Sequence, residues 1–368
     1  MGAKRILIAG ITSNKGGVES YIMEIYRHCD KSKLQFDFLS YEHINEEYKK
    51  EIEYLGGHVY RIPAKRKNII AHYKMLNEIF LKGKYTGIYY QCNRKLYTLD
   101  IFKCAKKYNV PIRAIHSHNS TQPPMSFVEK IRSFSVECRL DKYVTDRFAC
   151  SDEAGKWMFG DRKYKVIKNA VDTSVFFYNT KIREKIRKEL GLDDKLLVGT
   201  VGRLSEQKNP FYIVEIVNRL CKINENIRFI HIGDGELKEK VKEKIEEYSL
   251  RDKYLLLGLQ KNVSDYMNAM DCFILPSKFE GFPIVLVEAQ ATGLHCMVSD
   301  NITGSCDLTG NIEFLSTDIQ PQKWAECILN NIKYNREDCS KKIIEEGYDI
   351  NCTSEEIQKF FLTRKNNE

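Results

Sequence analysis

Four short stretches of the 368-residue chain gather charged or ionisable side chains, three of them beside glycine, where an apolar run ends. The sharpest is LPSKFEGFP, leading into IVLVEAQATG, from Leu275 to Gly293. An apolar helix is expected there, with Pro283 in its first turn and Gly293 stopping it. Free amides at its start, near Gly281, Phe282 and Ile284, favour an anion. Glu288 is an acid within an otherwise apolar segment and needs a partner. Two hydrogen bonds donated by a ribose diol would satisfy it. Glu280, eight residues earlier, falls where a sugar joined to a bound diphosphate would lie.

The second stretch is GRLSEQKNP, residues 202–210. Arg203 and Lys208 follow a strand and precede a helix. Arginine can grip a diphosphate bidentately and lysine acts as a point charge; a solvated basic loop is the plain alternative. The third stretch runs from Gly10 to Gly17. Its lysine precedes the glycine pair, so it is not a P-loop, and it lacks G-x-G-x-x-G. Gly16 and Gly17 would let backbone approach a ligand at a helix start, or simply make a tight turn. The fourth is His116-Ser-His118-Asn119 at a strand end. The two histidines are expected to point apart, so that only one meets a ligand and the other is structural. Zinc is not supported, because no third ligand is near.

These stretches need strands that end beside them. Arg5–Gly10, Phe36–Leu39, His58–Ile62, Gly87–Gln91, Ile112–His116 and Phe148–Ser151 read as short strands, with helical patterns such as Ile69–Leu81 between them. The alternation restarts at Leu196–Gly202 and continues through Ile227–Gly233, Tyr254–Gly258, Cys272–Pro276 and Cys296–Ser299. The length and this restart imply two parallel α/β domains, 1–170 and 171–345, with a C-terminal helix in 346–368.

Composition narrows the setting. Hydrophobic residues are 43% and charged residues 29%, which excludes disordered and collagen-like chains. No window reaches the length of a membrane span, and Ile6–Ile11 is too short for a signal-peptide core, so a cytoplasmic location is expected. None of the twelve cysteines forms C-x-x-C, and most sit in apolar runs as small buried hydrophobes. The net charge of +8 is uneven: residues 1–160 carry +10 and residues 161–368 carry −2. The first half is therefore expected to meet something anionic.

Taken together, Glu280–Glu288, GRLSEQKNP, GDGELK (233–238) and LGLQKNVSDYMNAMDCFILPSKFEGFP resemble glycosyltransferase family four. The glycine loop and HSHN are similar to its bacterial exopolysaccharide and capsule subgroup. The resemblance implies an α/β GT-B fold: two Rossmann-like, doubly wound parallel-sheet domains facing a cleft. The first would bind acceptor and the second nucleotide sugar, with the C-terminal helix packing back on the first. It implies that Arg203 and Lys208 bind the donor diphosphate, that Glu288 binds the ribose, and that Glu280 with amides of Gly281, Phe282 and Ile284 holds sugar and phosphates. Gly16 and Gly17 would meet the donor, His118 (less so His116) the transferred sugar, and Leu259–Val263, including Gln260 and Val263, the base. The segment Ser299–Asp307 departs from the pattern of many relatives and transfers no donor or acceptor preference.

The implied reaction moves a hexose or N-acetylhexosamine from a nucleoside-diphosphate sugar, with UDP expected, to a lipid-linked oligosaccharide, with retention. Neither metal nor other cofactor is expected, and the chain has no D-x-D motif. The expected partners are the nucleotide sugar, the acceptor and an anionic membrane surface on the inner face, and no nucleic acid. The competing readings are a GT-B sugar-nucleotide epimerase, a non-enzymatic membrane or anion-binding module, and a nicotinamide-dependent dehydrogenase, which the missing fingerprint disfavours.

Overall fold

The structure is a computed structural model that describes residues 2–12, 16–41, 44–92, 99–119, 125–332 and 335–364. Ser13–Lys15 of the glycine loop and Lys365–Glu368 of the C-terminal segment lie outside the described residues. The chain divides into two units. One comprises Met1–Ala170 with Ile350–Glu368, and the other Val171–Asp349.

The first unit is built on strands β1 (Lys4–Ala9), β2 (Leu34–Ser40), β3 (Val59–Arg61), β4 (Gly87–Cys92), β5 (Ile112–Ser117), β6 (Asp146–Ala149) and β7 (Lys165–Val166). They pair in the order β3-β2-β1-β4-β5-β6-β7, every pair parallel. Parallel pairing requires crossovers, and helices such as Gly17–His28 and Ile69–Gly83 supply them. Side chains alternate between two buried faces, which is why these strands read as continuous apolar runs. Leu7, Ala9, Ile88 and Tyr90 pack with Leu76, Phe80 and Phe102 in one layer. On the other face, the Tyr89 ring meets those of His116 and Phe361, His116 meets Tyr21, and Phe148 meets Phe360. The helix Ile350–Thr363 thus belongs to this unit, with Ile357 and Phe361 fully buried. Polar ties hold it: Lys4 Nζ donates to the Leu362 carbonyl at 2.9 Å, and Gln358 Oε1 accepts from the Asp30 amide at 2.7 Å.

The second unit contains β8 (Leu196–Val201), β9 (Ile227–Ile232), β10 (Tyr254–Gly258), β11 (Cys272–Leu275), β12 (Cys296–Ser299) and β13 (Ile312–Leu315), ordered β10-β9-β8-β11-β12-β13 and parallel throughout. Val198, Phe229, Cys272 and Ile274 face one layer, with Val214, Val217 and Trp324. Leu197, Ile230, Phe273 and Leu275 face the other, with Leu286, Ala289 and Met267. This unit runs to Asp349, four residues past the edge expected from sequence, because Asp349 bridges to Val171 and accepts from Thr173 Oγ1 at 2.6 Å.

Three local details differ from the sequence reading. The helix Ile284–Ala291 has Pro283 as its N-cap, with φ −72° and extended ψ, so proline precedes the first turn. The strand expected at Phe148–Ser151 begins two residues earlier, at Asp146. β7 and β13 add edges that the sequence did not suggest.

Candidate active site

In each unit the strand order reverses once, between β1 and β4 and between β8 and β11. Loops leaving the carboxyl ends of such neighbouring strands diverge and leave a crevice, the usual ligand position in an open parallel sheet. The four stretches singled out by sequence follow β1, β5, β8 and β11.

In the second unit the loop after β8 is fastened to the loop after β9. The Leu204 amide donates to the Asp234 carbonyl at 3.1 Å, and the Leu237 amide to the Leu204 carbonyl at 3.0 Å. Only glycine permits this approach. Gly233 has φ +141°, and a Cβ there would lie 2.0 Å from the Gly202 carbonyl oxygen; at Gly235 a Cβ would lie 2.4 Å from that of Leu204. His231 supports the loop from the sheet. Burial pushes its pKa down to about 4, so the ring is neutral. Its Nε2–H can then donate to the Gly202 carbonyl at 3.3 Å while Nδ1 accepts from the Tyr254 hydroxyl at 2.9 Å.

The same loop is stitched to the one after β11. The Lys278 amide donates to the Gln207 carbonyl at 2.8 Å, and Gln207 Nε2 donates to the Phe279 carbonyl at 3.1 Å and to Glu280 Oε2 at 3.3 Å. Lys208 Nζ meets Glu280 Oε1 at 2.5 Å, with side chains 17% and 8% exposed. Two motifs far apart in sequence therefore form one surface. The sequence reading sent Lys208 and Glu280 separately to a ligand; here each also holds the other. Asn209, in the left-handed region at φ 56°, turns the chain from Lys208 into the helix Pro210–Ile223. Arg203 is exposed, and its guanidinium makes no ion pair among the described residues.

Beyond Glu280, the helix Ile284–Ala291 starts without a side-chain cap, so its first amides remain available to an anion. Gly281 and Ile284 are half-buried there, and Glu288 lies half-buried in the second turn. The Phe282 ring stacks on Tyr348, with centroids 5.1 Å apart and planes 4° from parallel, so that ring serves packing. Gln260 folds back on its own loop. Its Nε2 donates to the Leu257 carbonyl at 2.7 Å, and its Oε1 accepts from the Tyr266 hydroxyl at 3.3 Å. Val263 opens the helix Val263–Ala269, half-buried.

In the first unit, Gly16 caps the helix Gly17–His28 with no side-chain hydrogen bond, and Gly17 is exposed. The residue that sequence reasoning missed here is Glu19. It is 6% exposed, and its Oε1 accepts from the Thr12 amide at 2.8 Å and the Thr12 hydroxyl at 2.7 Å. This buried carboxylate ties the end of the β1 loop to the helix. A Cβ on Gly16 would come 2.8 Å from Glu19 Oε2. An acid in the first turn straight after a glycine pair was the available signal.

The histidines do not diverge. The rings of His116 and His118 stack with centroids 4.2 Å apart, beside Tyr21. Residues two apart line one face of a strand, so the expectation of opposite faces was mistaken. Their partners separate their roles. His116 is fully buried against the Tyr89 hydroxyl, 2.5 Å from Nδ1. His118 Nε2 lies 2.7 Å from Gln91 Oε1, and burial pushes its pKa down to about 3. His118 is thus neutral and donates through Nε2–H, which leaves Nδ1 as an acceptor. Gln91, buried on β4, is a second residue that sequence reasoning missed.

Among the described residues, no group of three His, Cys, Asp or Glu side chains is arranged to hold a metal ion. Most of the cysteines are buried and none forms a disulfide.

Comparison with known proteins gives these loops a common setting. Residues 182–349 match the family model for glycosyl transferases group 1. The Bacillus subtilis (strain 168) protein EpsF, which carries a glycosyltransferase name, is 30% identical over 359 residues, 94% of this chain and 93% of that one. The Escherichia coli UDP-Gal:alpha-D-GlcNAc-diphosphoundecaprenol alpha-1,3-galactosyltransferase is 39% identical over 156 residues, 40% of this chain and 39% of its own. Anabaena HepE, solved in complex with UDP, superposes with a TM-score of 0.78 at 17% identity, covering 98% of this chain and 100% of that one. That likeness establishes the GT-B fold. Two parallel-sheet units of this kind and near full-length similarity to EpsF lead to one conclusion: the chain belongs to the group 1 glycosyltransferases, of glycosyltransferase family four type, in their bacterial exopolysaccharide subgroup.

Proposed function

We propose that this glycosyltransferase moves a hexose or N-acetylhexosamine from a UDP-sugar to a lipid-linked oligosaccharide, with retention and without a metal. The observation that carries the proposal is the joining of the β8 and β11 loops through Lys208 and Glu280. It gathers Arg203, Lys208 and the uncapped start of Ile284–Ala291 at the strand reversal of one sheet. Two cations and a helix N-terminus supply the positive field that a departing diphosphate needs. In this reading that field takes the part a divalent ion would otherwise play.

In this reading Glu288 takes the ribose hydroxyls, and backbone of Leu259–Val263 takes the base, because the Gln260 side chain is engaged within its own loop. Glu280, set by Lys208 and Gln207, accepts hydrogen bonds from the sugar. His118, neutral and held by Gln91, accepts from one sugar hydroxyl at Nδ1. The bond from the anomeric carbon to the diphosphate oxygen breaks, and a bond to the acceptor oxygen forms on the same face. The acceptor's proton passes to the departing diphosphate. Glu280 is occupied by a cation, which favours this route over a covalent sugar on its carboxylate. UDP is supported by the HepE complexes with UDP and UDP-glucose, and a lipid diphosphate acceptor by the name of the Escherichia coli relative. The first unit, with its basic excess, would receive that acceptor on an anionic membrane surface; no described helix is long and apolar enough to cross a membrane.

The test is a thermal shift against UDP, GDP, ADP and NAD, each with magnesium and with EDTA. Ligand at a hundredfold excess over its dissociation constant stabilises by about 2.7 kcal/mol. A shift with UDP that EDTA leaves unchanged is expected. No shift with any diphosphate, or a shift with NAD alone, would overturn the reading.

A further inference from the structure

The helix Phe127–Leu140 has two apolar faces, and the fold uses one. Val136 and Leu140 join the core layer with Phe102 and Phe159, and Ser133 is buried beside them. On the opposite side Phe127, Ile131, Phe134 and Cys138 succeed one another at intervals of three and four residues, one continuous stripe. Phe127 is 78% exposed, Phe134 69% and Ile131 54%. Single exposed apolar residues are ordinary on a protein surface, but an apolar stripe about 17 Å long along one helix is not.

Charge of one sign frames the stripe. Lys130 stands on one edge, Arg132 and Arg139 on the other, all exposed. The two acids of the helix are engaged within the protein. Glu129 closes a capping box with Ser126, accepting from its amide at 2.9 Å, and Glu137 meets Arg162 at 3.3 Å. Near the helix end, Lys106 Nζ donates to the Lys142 carbonyl at 3.1 Å, which adds further lysines from the neighbouring helix Leu99–Lys107. An apolar ridge with cations on both edges complements the boundary between anionic head groups and acyl chains. A second copy of this chain is a poorer occupant, since a two-fold contact would oppose edges of like charge.

We infer that the outward face of Phe127–Leu140 docks on an anionic lipid bilayer, with Phe127, Ile131 and Phe134 entering the head-group region. The inference deepens the proposed function and rests on its lipid-linked acceptor. Nine residues lead from His118 to Phe127, so the helix start lies within about 32 Å of the histidine. A docked helix keeps the end of β5 close to the surface from which a lipid diphosphate emerges.

The experiment is co-sedimentation of the full chain and of the variant F127S/I131S/F134S with vesicles of phosphatidylglycerol and phosphatidylcholine, at low and high salt. Light scattering and the UDP thermal shift are recorded on both proteins. The wild type is expected to sediment. The triple variant is expected to lose at least about tenfold in partitioning, with melting midpoint and UDP shift kept. Equal sedimentation of the two proteins overturns the inference, as does a wild type that stays in the supernatant. A wild-type dimer that the substitutions turn into monomer also overturns it, by naming a second copy as the occupant. Loss of the UDP shift in both proteins, whatever the vesicles do, marks failure of the functional reading instead.

Discussion

Lys208→Ala separates two consequences of one contact. Its Nζ lies 2.5 Å from Glu280 Oε1, and the two side chains are 17% and 8% exposed. An exposed ion pair contributes at most about 1 kcal/mol, whereas stranding one partner of a buried pair costs about 3–5 kcal/mol. This pair lies between those limits, and Gln207 Nε2 still serves Glu280 after the lysine is gone. The expected cost is therefore about 2 kcal/mol, which in a unit of this size lowers the melting midpoint by about 4–8 °C. The double variant K208A/E280A leaves no stranded carboxylate, so its loss of stability is expected to fall short of the sum of the single losses by about 1–2 kcal/mol. Turnover behaves differently. If Lys208 also steadies the departing diphosphate, K208A loses about 10²–10³ in kcat, and the double variant does not recover it. Both quantities are read on the same preparations, by thermal denaturation and by nucleoside diphosphate release well below the midpoints. Strict additivity of stability would remove the ion pair from solution. Turnover within about threefold of wild type would remove Lys208 from the reaction.

Other residues give shorter tests. Arg203→Ala, at an exposed guanidinium, is expected to lose turnover on the same scale of about 10²–10³ with little change in midpoint; a fall in midpoint with activity kept would contradict its proposed role. Gly233→Ala places a Cβ 2.0 Å from the Gly202 carbonyl oxygen at φ +141°, and a cost of at least about 2 kcal/mol is expected by denaturant titration. His116 and His118 both titrate well below the ordinary histidine range because burial disfavours their charged forms, His118 at about 3. The unfolded chain then binds more protons than the native one below about pH 6.5. Stability is fully present above that pH and falls as pH drops toward 3, by up to about 1.4 kcal/mol per pH unit for each histidine. Urea titrations at neutral and mildly acidic pH check the sign, and stability that rises on acidification would refute it.

Buried parallel strands such as RILIA and CFIL were legible because both of their faces are covered and their apolar runs are unbroken. β7 spans two residues, and β13 carries Glu313 on a half-buried edge, so neither leaves an apolar run to read. The Lys208–Glu280 pairing was not legible, since it joins loops related only through the β8–β11 pairing. The outward stripe of Phe127–Leu140 escaped for a different reason. A helix with apolar residues on opposite faces lacks the one-sided period that marks an amphipathic helix. Gln91 gave no sign in the sequence either, because its value comes from the neighbouring strand, where it stands beside His116 in register and reaches His118.

The most direct measurement is the anomeric configuration of the product formed from a UDP-sugar and a short-chain lipid diphosphate oligosaccharide, read by NMR with and without EDTA. A new glycosidic bond of the donor's own configuration, formed with stoichiometric UDP release in EDTA, is the predicted result. An inverted linkage, a strict requirement for a divalent metal, or an altered UDP-sugar released without acceptor would each contradict it.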